Sequence, residues 1–167
     1  RPTNLYGQTK LAGENAARRF AEQTGLAVIV ARPAWVYGPR CPRTAKLLRT
    51  IHRRRFVMFG QGRTLRHPLY VADAVAGLEC CAAAASAPGE VYLLAGEHAV
   101  TVSELVRTAA EVLEVSSPRA HLPASLGLLA GHVVEGTFRL LGKSPPFSSR
   151  SMDFFLEDNA YDTRKAQ

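Results

Sequence analysis

Apolar residues recur at three- and four-residue spacing from the start of the chain. Leu11, Ala12, Ala16, Phe20 and Ala21 share a face, while Lys10, Glu14, Arg18, Arg19 and Glu22 fill the others. This pattern predicts a helix over 7–23, closed by Gly25 in the left-handed cap position. The next apolar run, Leu26 to Ala31, does not alternate, as expected of a strand covered on both faces of a parallel sheet. It breaks at Arg32-Pro33-Ala34-Trp35-Val36-Tyr37-Gly38-Pro39, which reads as a loop. Leu47, Leu48 and Ile51 predict a helix over 44–54, and Asp73 is placed to cap a helix through 74–85. Pro123 to Gly142 is apolar, small-residue rich and interrupted by His132, Glu135 and Arg139. It is too short and too polar to span a bilayer, and reads as a helix of a substrate-binding subdomain or a membrane-surface element. Pro145-Pro146-Phe147 reads as the loop that closes it. A helix feeding a buried strand that ends in a Pro/Gly loop is α/β organisation, in which ligands sit at the carboxyl ends of strands.

Charge changes the picture in one stretch. Between Glu22 and Asp73 stand ten bases, Arg32, Arg40, Arg43, Lys46, Arg49, Arg53, Arg54, Arg55, Arg63 and Arg66, and no acid. The whole chain carries 21 bases against 14 acids, so its net charge of +7 is entirely local. Three readings stay open: a solvated helix face, attraction of an anionic substrate, and nucleic-acid binding. The last is disfavoured because no aromatic platform is interleaved with the charge. Cys41, Cys80 and Cys81 are odd in number and lack metal-ligand spacing, so no metal is expected and a reducing cytoplasm is the default.

The candidate chemistry begins at Tyr6 and Lys10. Four residues apart on a helix, they lie on one face, where the ammonium favours phenolate and makes the tyrosine a general acid/base.

Five blocks in order carry a resemblance. Tyr6-Gly7-Gln8-Thr9-Lys10 is followed by Arg32-Pro33-x-x-Val36-Tyr37-Gly38-Pro39, then by Phe59-Gly60-Gln61-Gly62-Arg63-Thr64-Leu65-Arg66-His67-Pro68-Leu69-Tyr70-Val71-Ala72-Asp73. Glu90 to Gly96 leads into Val100-Thr101-Val102-Ser103-Glu104-Leu105, and Ala160 to Ala166 closes the series. Together they resemble the extended short-chain dehydrogenase/reductases, the NAD-dependent epimerase/dehydratase family, with some likeness to the 3β-hydroxysteroid dehydrogenase and dihydroflavonol reductase branch.

The resemblance implies the C-terminal part of a Rossmann-like, doubly wound parallel sheet plus a mainly helical substrate-binding subdomain. Residues 1–40 would end the dinucleotide-binding domain and 41–167 would be mostly substrate-binding, with 70–96 returning to the main sheet. No glycine fingerprint follows a strand, so the chain reads as part of a longer enzyme, inactive and without useful nicotinamide affinity by itself.

In that enzyme Tyr6 and Lys10 would be catalytic and would contact NAD or NADP, with Pro33 and Val36 beside the nicotinamide. Trp35, Arg66 and His67 would bind substrate, with Arg66 gripping a diphosphate. Trp35 stands where nucleotide-sugar enzymes often have Asn, and His67-Pro68 where Asp often follows the Arg. The substrate is therefore a nucleotide sugar or, alternatively, an apolar alcohol or ketone. A non-catalytic binding module on the same fold is a further alternative. The small residues Ala12, Gly13, Ala16 and Ala17 would admit a homodimer along the Tyr6 helix, and a membrane surface is not favoured as a partner.

Overall fold

The computed structural model of the protein describes residues 4–84, 88–143 and 149–166. In chain order these form α1 (Leu5–Thr24), β1 (Val30–Pro33), β2 (Trp35–Tyr37), α2 (Pro42–His52), β3 (Met58–Phe59), β4 (Leu65–Arg66), β5 (Pro68–Tyr70), α3 (Val71–Ala83) and β6 (Val91–Leu94). There follow β7 (Val100–Thr101), α4 (Val102–Val112), β8 (His121–Leu122), α5 (Ala124–Leu140), a 3-10 turn (Ser149–Met152), α6 (Asp153–Leu156) and a last 3-10 turn (Arg164–Ala166). The loop expected at Pro145-Pro146-Phe147 lies outside the described residues. The chain divides into two units, one of Arg1–Val36, Leu69–Gly96 and Asp162–Gln167, the other of Tyr37–Pro68 and Glu97–Tyr161.

The first unit is built on a parallel pair, β1 against β6, in the register Val30↔Val91 to Pro33↔Leu94. Its core is Leu69, Ala74 and Leu94, with Ala31, Val36 and Tyr92 packed on it. α1 begins where Asn4 Oδ1 accepts from Gly7 N at 2.8 Å, and it ends at Gly25, whose φ of 73° is the left-handed cap the sequence predicts. No residue of α1 is buried. Lys165 pairs with Glu90 and lies 5.3 Å from the Tyr92 ring centroid, which fastens the last turn to β6.

The second unit has the larger core: Ile51, Phe56, Met58, Val102, Val106 and Ala110, with Phe154 and Phe155 against it. Two short ladders frame it, β3 parallel to β8 and β4 antiparallel to β7. A capping box starts α4, because Thr101 Oγ1 accepts from Glu104 N while the Glu104 carboxylate accepts from Thr101 N.

Four local expectations shift. The strand expected over 26–31 starts only at Val30, because pairing to β6 begins where Val30 N donates to Glu90 O. The stretch expected as a loop over 32–39 contains β2. The helix expected over 44–54 runs Pro42–His52, since proline is preorganised for the first helical position and Arg54 takes a φ of 54°. Asp73 lies in the first turn of α3 rather than capping it: the strand before it runs straight to Tyr70, which occupies the cap position.

Candidate active site

One side of α1 carries the candidate proton relay. Tyr6 and Lys10 are both exposed, and the Lys10 ammonium lies 5.4 Å from the centroid of the Tyr6 ring. The two groups therefore point the same way, as i and i+4 on a helix should. A further turn along, Glu14 is clasped by the next element. Arg32 donates from Nε to Glu14 Oε2 at 2.9 Å and from Nη2 to Oε1 at 2.8 Å, a bidentate pair. Arg18 Nε adds a bond to Oε1 at 3.2 Å. The hydrogen bond from Arg32 is the main force holding the Glu14 carboxyl below its usual range, aided by the charges of Arg32 and Arg18 and opposed by desolvation. Arg32 directly precedes Pro33, the last residue of β1. The clamp thus fastens the Tyr6–Lys10 side of α1 to the carboxyl end of a parallel strand, where α/β proteins place ligands.

Pro33 is exposed at that strand end, and Ala34 N donates to Leu94 O at 2.7 Å just beyond it. Trp35 and Val36 follow, both half-buried, with Val36 packed on the Leu69–Leu94 core. Tyr6, Lys10, Pro33, Trp35 and Val36 all belong to the first unit.

Arg66 and His67 belong to the second unit, and each is only 4% exposed. Arg66 Nη2 donates to Asp153 O at 2.5 Å, and its guanidinium carbon lies 5.0 Å from the Phe154 ring centroid. Its Nε is buried without a hydrogen-bond partner, and among the described residues no carboxylate forms an ion pair with it. Burial pushes the Arg66 guanidinium below its ordinary value, against the pull of Asp158, Glu157, Tyr161 and Asp153. A buried cation with an unmet donor is costly, and an acceptor supplied from outside the chain would relieve it. His67 is engaged internally: its Nδ1 accepts from Tyr161 N at 3.2 Å, and the two rings stack at 6.2 Å and 14°.

Sequence reasoning missed Glu14 and Arg32. The available signal was an acid one turn beyond Lys10 on the relay side, and an arginine abutting Pro33; nothing in the spacing ties one to the other. The three cysteines are free, and no cluster of potential metal ligands exists among the described residues.

The parallel β1–β6 pair, with helices before and between its strands, is α/β organisation. The chain belongs to the NAD-dependent epimerase/dehydratase family, whose sequence profile matches residues 1–95. It is 26% identical over 167 residues to the N-acetyl-α-D-glucosaminyl-diphospho-ditrans,octacis-undecaprenol 4-epimerase of Escherichia coli O157:H7, covering 98% of this chain and 50% of that protein. The UDP-glucose 4-epimerase of Thermotoga maritima, solved with UDP-glucose, superposes with a TM-score of 0.62 at 27% identity over 74% of this chain and 41% of that one. The fold extends further to the UDP-glucuronic acid 4-epimerase of Bacillus cereus, solved with UDP-glucuronic acid and NAD. That superposition has a TM-score of 0.68 at 19% identity and covers 99% of this chain and 46% of the other. The chain thus spans about half the length of such relatives.

Proposed function

We propose that this chain supplies the proton relay and the substrate-binding part of an NAD-dependent epimerase or dehydratase acting on a sugar diphosphate, with a nucleotide sugar as the leading substrate. The observation that carries the reading is the Tyr6–Lys10 pair, held by the Glu14–Arg32 clamp at the carboxyl end of β1.

The residues present suit NAD: Lys10 offers an exposed ammonium for ribose hydroxyls, and Pro33 with Val36 would flank the nicotinamide ring. When bound, the nicotinamide accepts a hydride from a carbinol carbon and can return it. Tyr6 takes the proton from the hydroxyl on that carbon and gives it back to the same oxygen when the carbonyl is reduced again. Lys10, its ammonium 5.4 Å from the centroid of the Tyr6 ring, stands on the same side of α1 as the phenol. Arg66 supports the choice of substrate class, because a desolvated guanidinium with an unsatisfied Nε suits a phosphate oxygen. Trp35 would form an apolar wall of the substrate site, and His67 would position the segment behind Arg66 through its bond to Tyr161. α1, which exposes Leu5, Leu11 and Phe20 and leaves open space at Gly13, offers a second copy a surface to pair on.

The test uses the full-length protein. Tyr6→Phe is expected to lower turnover by about 10²–10⁴-fold with circular dichroism unchanged. Arg66→Ala should raise KM for UDP- or TDP-sugars, while Arg66→Lys recovers part of the affinity. Activity retained in Tyr6→Phe ends the relay reading. An Arg66→Ala protein that melts normally and keeps its KM ends the sugar-diphosphate reading in favour of an apolar alcohol or ketone.

A further inference from the structure

α5 has two apolar faces, and only one of them is used by the fold. Gly127 and Gly131 are buried on the inner side, and a methyl group at Gly127 would come within 2.5 Å of Met152 Sδ and 2.8 Å of Phe59 Cδ1. That close approach fixes the rotation of the helix about its axis. The opposite side is therefore turned outward, and it carries Leu126, Leu129, Val133 and Leu140, exposed by 49%, 61%, 60% and 90%. At 100° per residue these four fall within a sector of about 60°, a continuous aliphatic stripe. A patch of this kind on a protein surface marks an interaction site.

Charge identifies the occupant. The acid of α5, Glu135, is turned inward and accepts from Ser149 N at 3.0 Å, so the outward side presents no carboxylate. Arg139 and Lys143 lie exposed near the helix end. Within the same unit α2 bears a shallow hollow of about 470 Å³, lined by Pro42, Lys46, Arg49, Thr50, Arg53 and Arg55 without an acid. The unit as a whole has 14 Lys/Arg against 8 Asp/Glu. An aliphatic stripe on a cationic body matches a surface that is apolar inside and anionic outside. A second copy would bring two bodies of net charge +6 together. The aliphatic stripe offers no stacking platform for nucleic-acid bases.

We propose that α5 is an interfacial helix, seating the second unit on an anionic lipid surface with Leu126, Leu129, Val133 and Leu140 in the acyl boundary and Arg139 and Lys143 at the headgroups. The proposal does not depend on the reading of the relay, and no helix of the described residues is long and apolar enough to cross a membrane.

Co-sedimentation of the full-length protein with vesicles tests it. One set contains 30% phosphatidylglycerol in phosphatidylcholine, the other phosphatidylcholine alone. Expected is binding to the anionic set at least ~10-fold tighter than to the neutral set, weakened by salt. Leu129→Glu with Val133→Glu should abolish it without moving the melting temperature, since both side chains are solvent-exposed. Arg139→Glu with Lys143→Glu should weaken it by about 10-fold or more. Three results overturn the proposal: no preference for anionic vesicles, binding unchanged by the Leu129/Val133 variant, or no vesicle binding together with a dimer that this variant dissolves. Duplex DNA binding that survives the Leu129/Val133 variant, in a protein that ignores vesicles, overturns it as well.

Discussion

Single side chains decide how tightly this chain closes. Gly127 lets α5 lie directly on Met152 and Phe59, and its replacement shows the constraint. Gly127→Ala is expected to destabilise the second unit by about 1–3 kcal/mol through overpacking, read as a lower denaturation midpoint. An unchanged midpoint would mean that α5 can slide outward at no cost, which would also loosen the case for its outward stripe. Arg66 poses a different problem at the same scale. A guanidinium this enclosed is ordinarily bonded on all its nitrogens, yet Nε has no acceptor here. Nothing in the spacing around Gly60-Gln61-Gly62 gives that burial, and it is what distinguishes Arg66 from the solvated bases of α2.

Among the elements, the junction of α1 and β1 depends on one ion pair rather than on packing. α1 buries none of its residues, so Glu14 with Arg32 and Arg18 is its described polar anchor to the strand, joined by Arg18 Nη1 to Gly89 O at 3.3 Å. The folded state lowers the Glu14 carboxyl below the value of 4.5. A depressed carboxylate contributes stability that is fully present above its unfolded pKa and is lost as pH falls through the folded one. Glu14→Gln should therefore reduce thermal stability at neutral pH, with the gap to the unmodified protein closing below about pH 4. A gap independent of pH would assign the effect to packing instead. α4 is the contrast: Val102, Val106 and Ala110 are buried and its capping box is complete.

For the whole molecule, the uneven cores predict uneven opening. In the 167-residue chain by itself, amide exchange along α1 should be much faster than along α4, which is held by the larger core. Equal protection would mean that a second copy covers α1. Local information was enough for most of α1 and α2 and for the shared side of Tyr6 and Lys10. Hydrophobic spacing placed α1 and α2, glycine at 25 closed the first of them, and the four-residue gap put Tyr6 and Lys10 on one side, because helix geometry depends only on neighbours a turn apart. Strand limits, the seating of Arg66 and His67, and the Glu14–Arg32 clamp were settled by residues brought together from distant parts of the sequence. β1 begins where β6 offers a partner, Arg66 is buried by a segment 87 positions later, and Glu14 meets an arginine 18 positions on. Periodicity carries no information about such meetings. Sequence alone therefore named the candidate side chains; only tertiary packing decided which of them are desolvated, which are spent on structure, and which stay exposed.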